Sequence, residues 1–333
     1  MRGKSTLSLV VCSLVLITAP VRAGELEDRQ EIRRIAAERF MAGQYAEIDR
    51  QVAQYTETAA RTSSGLWKNW LLFNGIRWVI GQATTSEQKL VAVEQQFLDW
   101  AERNPDSTTA HIGYATALTA HAWYYRGSGP ASTVREQDWA PFRAYLEKAR
   151  AYLMGHAEDA LTNPHWYTEI LVIARGQGWR NEDYMNLISD GLDIHPYFYP
   201  IYFDALTNLL PKWGGSLDTI DAFALAAVEY TKEKEGQGMY ARIYWSASGA
   251  EFGKDLFTRT KVDWSRMSAG IDDVLALFPD QWNINNFAHF ACLAKDREKT
   301  RSLIAMIQEP PIHSVWKSVE PTYETCRDWA NGG

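Results

Sequence analysis

The groups in this chain that could do chemistry are few and scattered. The seven histidines are His111, His121, His156, His165, His195, His289 and His313. They form no His-Glu-x-x-His pair and no Cys/His cluster with metal-ligand spacing. His111 and His121 sit on one helical pattern, rotated about 80° from each other, so they build no shared site. A metal centre and a cofactor are therefore not expected. No Gly-x-Ser-x-Gly elbow is present, and Ser128 between Gly127 and Gly129 reads as loop punctuation. Asp272 and Asp273 are neighbours on a helix and point about 100° apart, so they cannot face one substrate together. Asp204, Asp218 and Asp221 flank a Trp-Gly-Gly loop and are the one carboxylate group that could converge for acid/base work. Taken singly, Asp218 suits the first turn of a helix and Asp204 a solvated helix position. No catalytic residue is assigned on these grounds, and the chain reads more as a binder than as an enzyme.

Arginines and aromatic rings are the better candidates, because Tyr, Trp and Arg are the residue types that dominate interface hot spots. Tyr197, Phe198, Tyr199, Tyr202 and Phe203 crowd one helix, with Trp166, Tyr167 and Trp179 on the hairpin before it. Most of these rings are expected to be core packing. Arg126, Arg175 and Trp213 lie at loops that could approach the same end of a helical stack. The expected binding set is therefore Arg126, Arg175, Tyr197, Tyr199 and Trp213, with Trp213 and Arg126 the strongest because loops place fewer demands on packing.

The elements that must position them are helices. Ile32, Ile35, Ala36 and Phe40 repeat at helical spacing, with Gly43 as a C-terminal stop. Tyr45, Ile48, Val52 and Tyr55 repeat the pattern. Residues 66–80 are apolar nearly all round, which predicts a helix buried on several sides. Thr84 and Glu87 have capping-box spacing ahead of Leu90, Val93, Phe97 and Trp100. No segment shows a convincing period of two. Four junctions then recur, at Asn104-Pro105, Asn163-Pro164, His195-Pro196 and Phe278-Pro279, each ending one helix and starting another. Pro164 and Pro196 are spaced close to the roughly 34-residue period of a helix–turn–helix repeat; the others are further apart. Residues 126–130 and 211–216 are loops, and 175–178 is the turn of a helical hairpin. The expected fold class is all-α: stacked helical hairpins in a TPR-like, irregular α-solenoid.

Composition agrees with a folded chain. Hydrophobic residues make up 46% and aromatic residues 13% of the 333, too much apolar area for disorder. With 34 basic against 41 acidic residues, the charge of −7 disfavours nucleic acid as a partner. Residues 1–23 combine Arg2 and Lys4, an apolar run from Leu7 to Ile17, Pro20, and small residues before a cleavage point after Ala23. That is a secretory signal peptide, which predicts a periplasmic or secreted protein. Its removal takes three basic residues and no acidic one, so the remainder is more acidic still, with no membrane insertion expected. Cys12 would leave with it, and Cys292 and Cys326 remain as a candidate disulfide.

Several of these motifs together resemble the DUF4034 family: Arg126-Gly127-Ser128-Gly129, Asn163-Pro164-His165-Trp166-Tyr167, His195-Pro196-Tyr197 and Leu210-Pro211-Lys212-Trp213-Gly214-Gly215-Ser216. The resemblance covers about residues 100–250 and implies a tetratricopeptide- or Sel1-type helical architecture in an exported bacterial protein. It supplies no catalytic residues. The expected organisation is a signal peptide (1–23), an N-terminal helical region (24–103), a helical-hairpin core (104–255) and a C-terminal helical region (256–333). The expected function is a non-catalytic protein- or peptide-binding module of the cell envelope. The alternatives are a cell-envelope polymer hydrolase or lyase using carboxylates near residues 204–221, and an immunity-type protein.

Overall fold

A computed structural model describes residues 24–317 and 319–333, apart from the side chains of residues 159 and 160; the expected signal peptide and Cys12 lie outside these residues. The fold is all-α. The helices in chain order are α1 (Glu25–Met41), α2 (Tyr45–Glu57), α3 (Lys68–Ala83), α4 (Glu87–Arg103), α5 (Thr108–Arg126), α6 (Glu136–Gly155) and a single turn, α7 (Ala157–Ala160). They continue with α8 (His165–Gln177), α9 (Asn181–Ile194), α10 (Tyr199–Leu209), α11 (Leu217–Glu235), α12 (Gly238–Ala247) and the short α13 (Leu256–Arg259). The last are α14 (Trp264–Leu277), α15 (Gln281–Leu293), α16 (Arg297–Ala305), the short α17 (His313–Trp316) and α18 (Tyr323–Asn331).

Local chemistry explains most boundaries. Helices α4, α9 and α14 stop one residue before the pre-proline positions Asn104, His195 and Phe278, where the α conformation is disfavoured. Ser216 caps α11 in a reciprocal box with Thr219, and Asp263, Asp280 and Asp296 cap α14, α15 and α16, each satisfying an orphan N–H of the first turn. The cap of α4 differs from the expected Thr84–Glu87 box. Ser86 accepts from Lys89 N instead, while the Thr84 hydroxyl donates back to Gly81 O at 2.7 Å. Likewise α3 begins at Lys68, not 66, because Arg61 and Trp67 pair across an isolated antiparallel bridge that holds the intervening residues out of the helix.

Packing follows one succession of helices, with others flanking it. Helices α3, α5, α8, α10 and α12 touch in succession, and each packs against a sequence neighbour: α4 on α5, α9 on α8, α11 on α10 and α12. The main apolar core runs from Ala36 to Cys326, and Ala122, Phe142 and Leu146 form a small second cluster against which Trp123 and Trp139 pack. The N-terminal helix α1 lies along α3, with Gly75 allowing the contact, since a Cβ there would sit 2.3 Å from Arg33 O.

The connection between α2 and α3 reaches far across the chain. Arg61 Nη2 and Trp67 Nε1 donate to Tyr197 O at 3.0 and 2.6 Å. Asn283 Nδ2 donates to Ser64 O at 3.1 Å, and the Arg29 guanidinium lies 4.7 Å from the Trp282 ring centroid. The first helices are thereby fastened to the turn before α10 and to α15. At the crossing, Gly65 adopts φ +91°, with Arg242 and Phe278 2.9 Å from where a Cβ would stand. At the other end Cys292 and Cys326 are bonded, Cα atoms 5.8 Å apart, tying α15 to α18.

Candidate functional site

Arg126 is the last residue of α5. Gly127 (φ +70°) turns the chain away, and Arg126 Nη1 donates to Gly127 O and Gly129 O at 3.1 and 3.0 Å. That clamp holds the guanidinium 5.1 Å from the Trp123 ring and 5.9 Å from both Trp139 and Trp213. Trp213 comes in on the 3₁₀ turn Pro211–Trp213, released by Gly214 at φ +90°, and meets Trp123 edge-on at 6.1 Å. Arg175, on the last turn of α8, lies 5.2 Å from the same Trp213 ring. Three of the expected binding residues, Arg126, Arg175 and Trp213, therefore meet, with Trp213 between two guanidinium groups.

Tyr197 and Tyr199 do not join them. Tyr199 is buried, its hydroxyl donates to Glu235 at 2.7 Å, and Arg61 and Arg242 stand 4.4 and 4.6 Å from its ring. Tyr197 faces Lys234 at 4.3 Å, while its carbonyl anchors the α2–α3 connection. Periodicity places both on one aromatic helix; Tyr197 instead lies in the turn before α10, and the long-range crossing from residues 61–67 gives the two different neighbours.

From Arg175 a line of charge runs inward that single-element patterns do not reveal. Asp204 lies between Arg175 and Arg77, close to Glu169. It is half-buried instead of fully solvated, and burial is the largest influence on its carboxyl, raising its pKa to about 6 against the opposing pull of Arg77 and Arg175 and with a further push from Glu169. Glu169, 1% exposed, accepts from Arg77 Nη2 at 3.1 Å and Thr116 Oγ1 at 2.7 Å, and its other oxygen has no donor. The expected grouping of Asp204 with Asp218 and Asp221 does not form. Asp218 pairs with Lys261, and Asp221 accepts from the Tyr244 and Tyr240 hydroxyls at 2.7 and 3.2 Å.

Beyond Arg77 the line continues onto α1. Arg77 and Arg33 border one groove of about 710 Å³, together with Trp78 and Met41, which are 55% and 56% exposed. Burial is the main cause, and the neighbouring Arg29 the second, of a lowered pKa at Arg33. Arg29 then faces Arg242 across a smaller cavity of about 180 Å³. The Nε atoms of Arg33, Arg77, Arg175 and Arg242 all lack an acceptor. No three His, Cys, Asp or Glu side chains among the described residues are grouped to hold a metal ion, and no described helix is long and apolar enough to cross a membrane.

What this arrangement can do chemically is bind negative charge against flat apolar surface: guanidinium forks are available, and indole rings lie beside them. No protein family, curated protein or solved structure matches this chain.

Proposed function

We propose that this protein is an exported, non-catalytic binding module of the cell envelope. On this reading the helices form a TPR-like, irregular α-solenoid, and residues 1–23 direct export to the periplasm or beyond. The resemblance of residues 100–250 to the DUF4034 family belongs to the same reading. Its ligand is a protein or peptide segment carrying acidic and apolar groups, laid along the arginine seam from Arg126 and Trp213 through Arg175, Arg77 and Arg33.

One observation carries this: in an acidic protein, Arg33, Arg77 and Arg175 of the seam, and Arg242 in the cavity beyond it, keep buried N–H groups without acceptors. An unsatisfied buried donor is costly, and a guanidinium cannot shed its proton to escape the cost. An acidic partner brings negative charge beside these guanidinium groups. The experiment is selection from a random displayed-peptide library on the purified protein. Acidic peptides with aromatic or aliphatic neighbours should be enriched, and the Trp213→Ala/Arg126→Ala double variant should lose at least about tenfold in affinity for them, as expected when hot-spot groups are truncated. Enrichment of basic peptides, or unchanged affinity in a folded double variant, overturns the reading.

A second reading is favoured by a single feature, the raised pKa of Asp204 beside Glu169. A carboxyl that holds its proton near pH 6 suits general-acid work in a polymer hydrolase or lyase. Degradation of purified cell-envelope polysaccharide, lost in Asp204→Asn, would establish it.

A further inference from the structure

The cavity of about 180 Å³ between α1, α12 and α15 has a charge balance that the rest of the seam does not. Arg29 and Arg242 both border it, and only one is neutralised. Arg29 is paired with Glu25. Arg242 is 4% exposed, has no acceptor at Nε, and reaches only Ser64 O at 3.4 Å through Nη2. Among the described residues no carboxylate lies within ion-pair distance of it. Tyr199 and Phe278, at 4.6 and 5.6 Å, hold its plane. The cavity thus presents one uncompensated positive charge on a rigid fork, which calls for one negative charge of planar shape. A carboxylate fits that description; a phosphate dianion brings too much charge.

The walls define the rest of the ligand. Trp245, Trp282, Phe203 and Leu66 are apolar, while Ser246 and Asn283 add polar groups. A dry cavity of about 150 Å³ accommodates benzene, so this one has room for a single ring-sized side chain beside the carboxylate. A free amino acid is disfavoured, because its ammonium group would sit near Arg29 and Arg242.

We propose that this cavity captures the carboxy terminus of a peptide, with the α-carboxylate on Arg242 and an aromatic or bulky aliphatic last side chain against Trp245 and Trp282. The proposal rests on the binding reading above and names the end of the ligand that the protein holds.

The test is calorimetric titration of the full chain with N-acetyl-phenylalanine and with its amide, which replaces the carboxylate by a neutral group of the same shape. The acid should bind, and the amide at least about tenfold more weakly, as for loss of a charge-assisted hydrogen bond. Arg242→Met should abolish acid binding while keeping or raising the denaturation midpoint, because a similar-sized apolar side chain replaces an unpaired buried charge. Equal binding of acid and amide overturns the proposal, as does no binding of either. An Arg242→Met protein that is less stable yet binds the acid normally does so too, since the arginine would then be structural cement between Tyr199 and Phe278. Should Arg242→Met fail to fold, Trp282→Leu is the substitute, and undiminished acid binding there is equally fatal. If the acid probe fails while the Trp213→Ala/Arg126→Ala variant loses its selected peptides, only the carboxylate pocket is wrong. If the probe binds while that variant keeps its peptides, the seam is wrong and the pocket stands.

Discussion

Asp204 is the residue where two opposing effects can be weighed against each other. Arg77 and Arg175 favour its charged form; burial and Glu169 disfavour it, and the balance raises its pKa to about 6. A carboxyl whose folded pKa exceeds its unfolded value is a cost above the folded pKa that disappears below the unfolded one. Asp204→Asn should therefore be more stable than the parent at pH 7, by on the order of 2 kcal/mol, with the difference vanishing near pH 4, close to the ordinary carboxyl range. Urea denaturation at the two pH values measures this. A variant weaker than the parent at pH 7 would mean that ion pairing with the two arginines outweighs desolvation. The same comparison bears on function, since removing the acid leaves Arg77 and Arg175 less compensated and should tighten binding of acidic peptides.

At the scale of elements, the docking of α1 and the α2–α3 connection decides whether the seam exists. Glu25 accepts from Thr62 Oγ1, Ser63 Oγ, Ser64 N and Ser64 Oγ at 2.6–3.0 Å, and it pairs with Arg29. These bonds, with Arg29, hold its pKa below the ordinary carboxylate value even though burial, the largest single influence, pushes the other way. Glu25→Ala strands several buried donors and a cation, so it should cost about 3 kcal/mol and speed amide hydrogen exchange in α1 before the rest of the protein opens. Exchange unchanged in α1 would show that packing on α3 alone secures it. Gly65→Ala tests the crossing separately: the positive φ and the 2.9 Å approach of Arg242 and Phe278 predict a loss of roughly 1–3 kcal/mol. These elements also mark the limit of what the sequence conveys. The helix boundaries at Asn104, His195 and Phe278 were legible because proline acts on its immediate neighbour, and the meeting of Arg126, Arg175 and Trp213 was legible because all three sit at ends of helices in one region. The placing of Tyr197 and Tyr199 was not, nor was the line Asp204–Arg77–Arg33–Arg242. The first depends on residues 61–67 packing against Tyr197, more than a hundred positions away, the second on helices distant in sequence coming together, and no local spacing encodes either.

For the whole molecule, the pH dependence follows from groups that the core has taken out of water. Burial lowers the pKa of His165 well below its ordinary value, that of His195 by less, and that of His289 to about 4. In each case the folded protein binds fewer protons than the unfolded chain below about pH 6.5, down to about pH 4 for His289, so stability is lost as pH falls from about 6.5. Asp204 works in the opposite direction over nearly the same range. Three histidines against one carboxyl leave a net uptake of protons on unfolding, each histidine contributing at most roughly 1.4 kcal/mol per pH unit. The urea midpoint should accordingly fall between pH 7 and about pH 5, and His289→Asn should flatten the decline. The bridge between Cys292 and Cys326 adds a pH-independent share: closing a loop with a sequence separation of 34 constrains the unfolded chain by about 3–4 kcal/mol in the entropic model. Reduction should thus lower the midpoint by a similar amount at both pH values, leaving the histidine-driven slope intact. A slope that disappeared on reduction would place the acid-sensitive unit in α15–α18 around His289 alone, and not in the buried histidines distributed through the core.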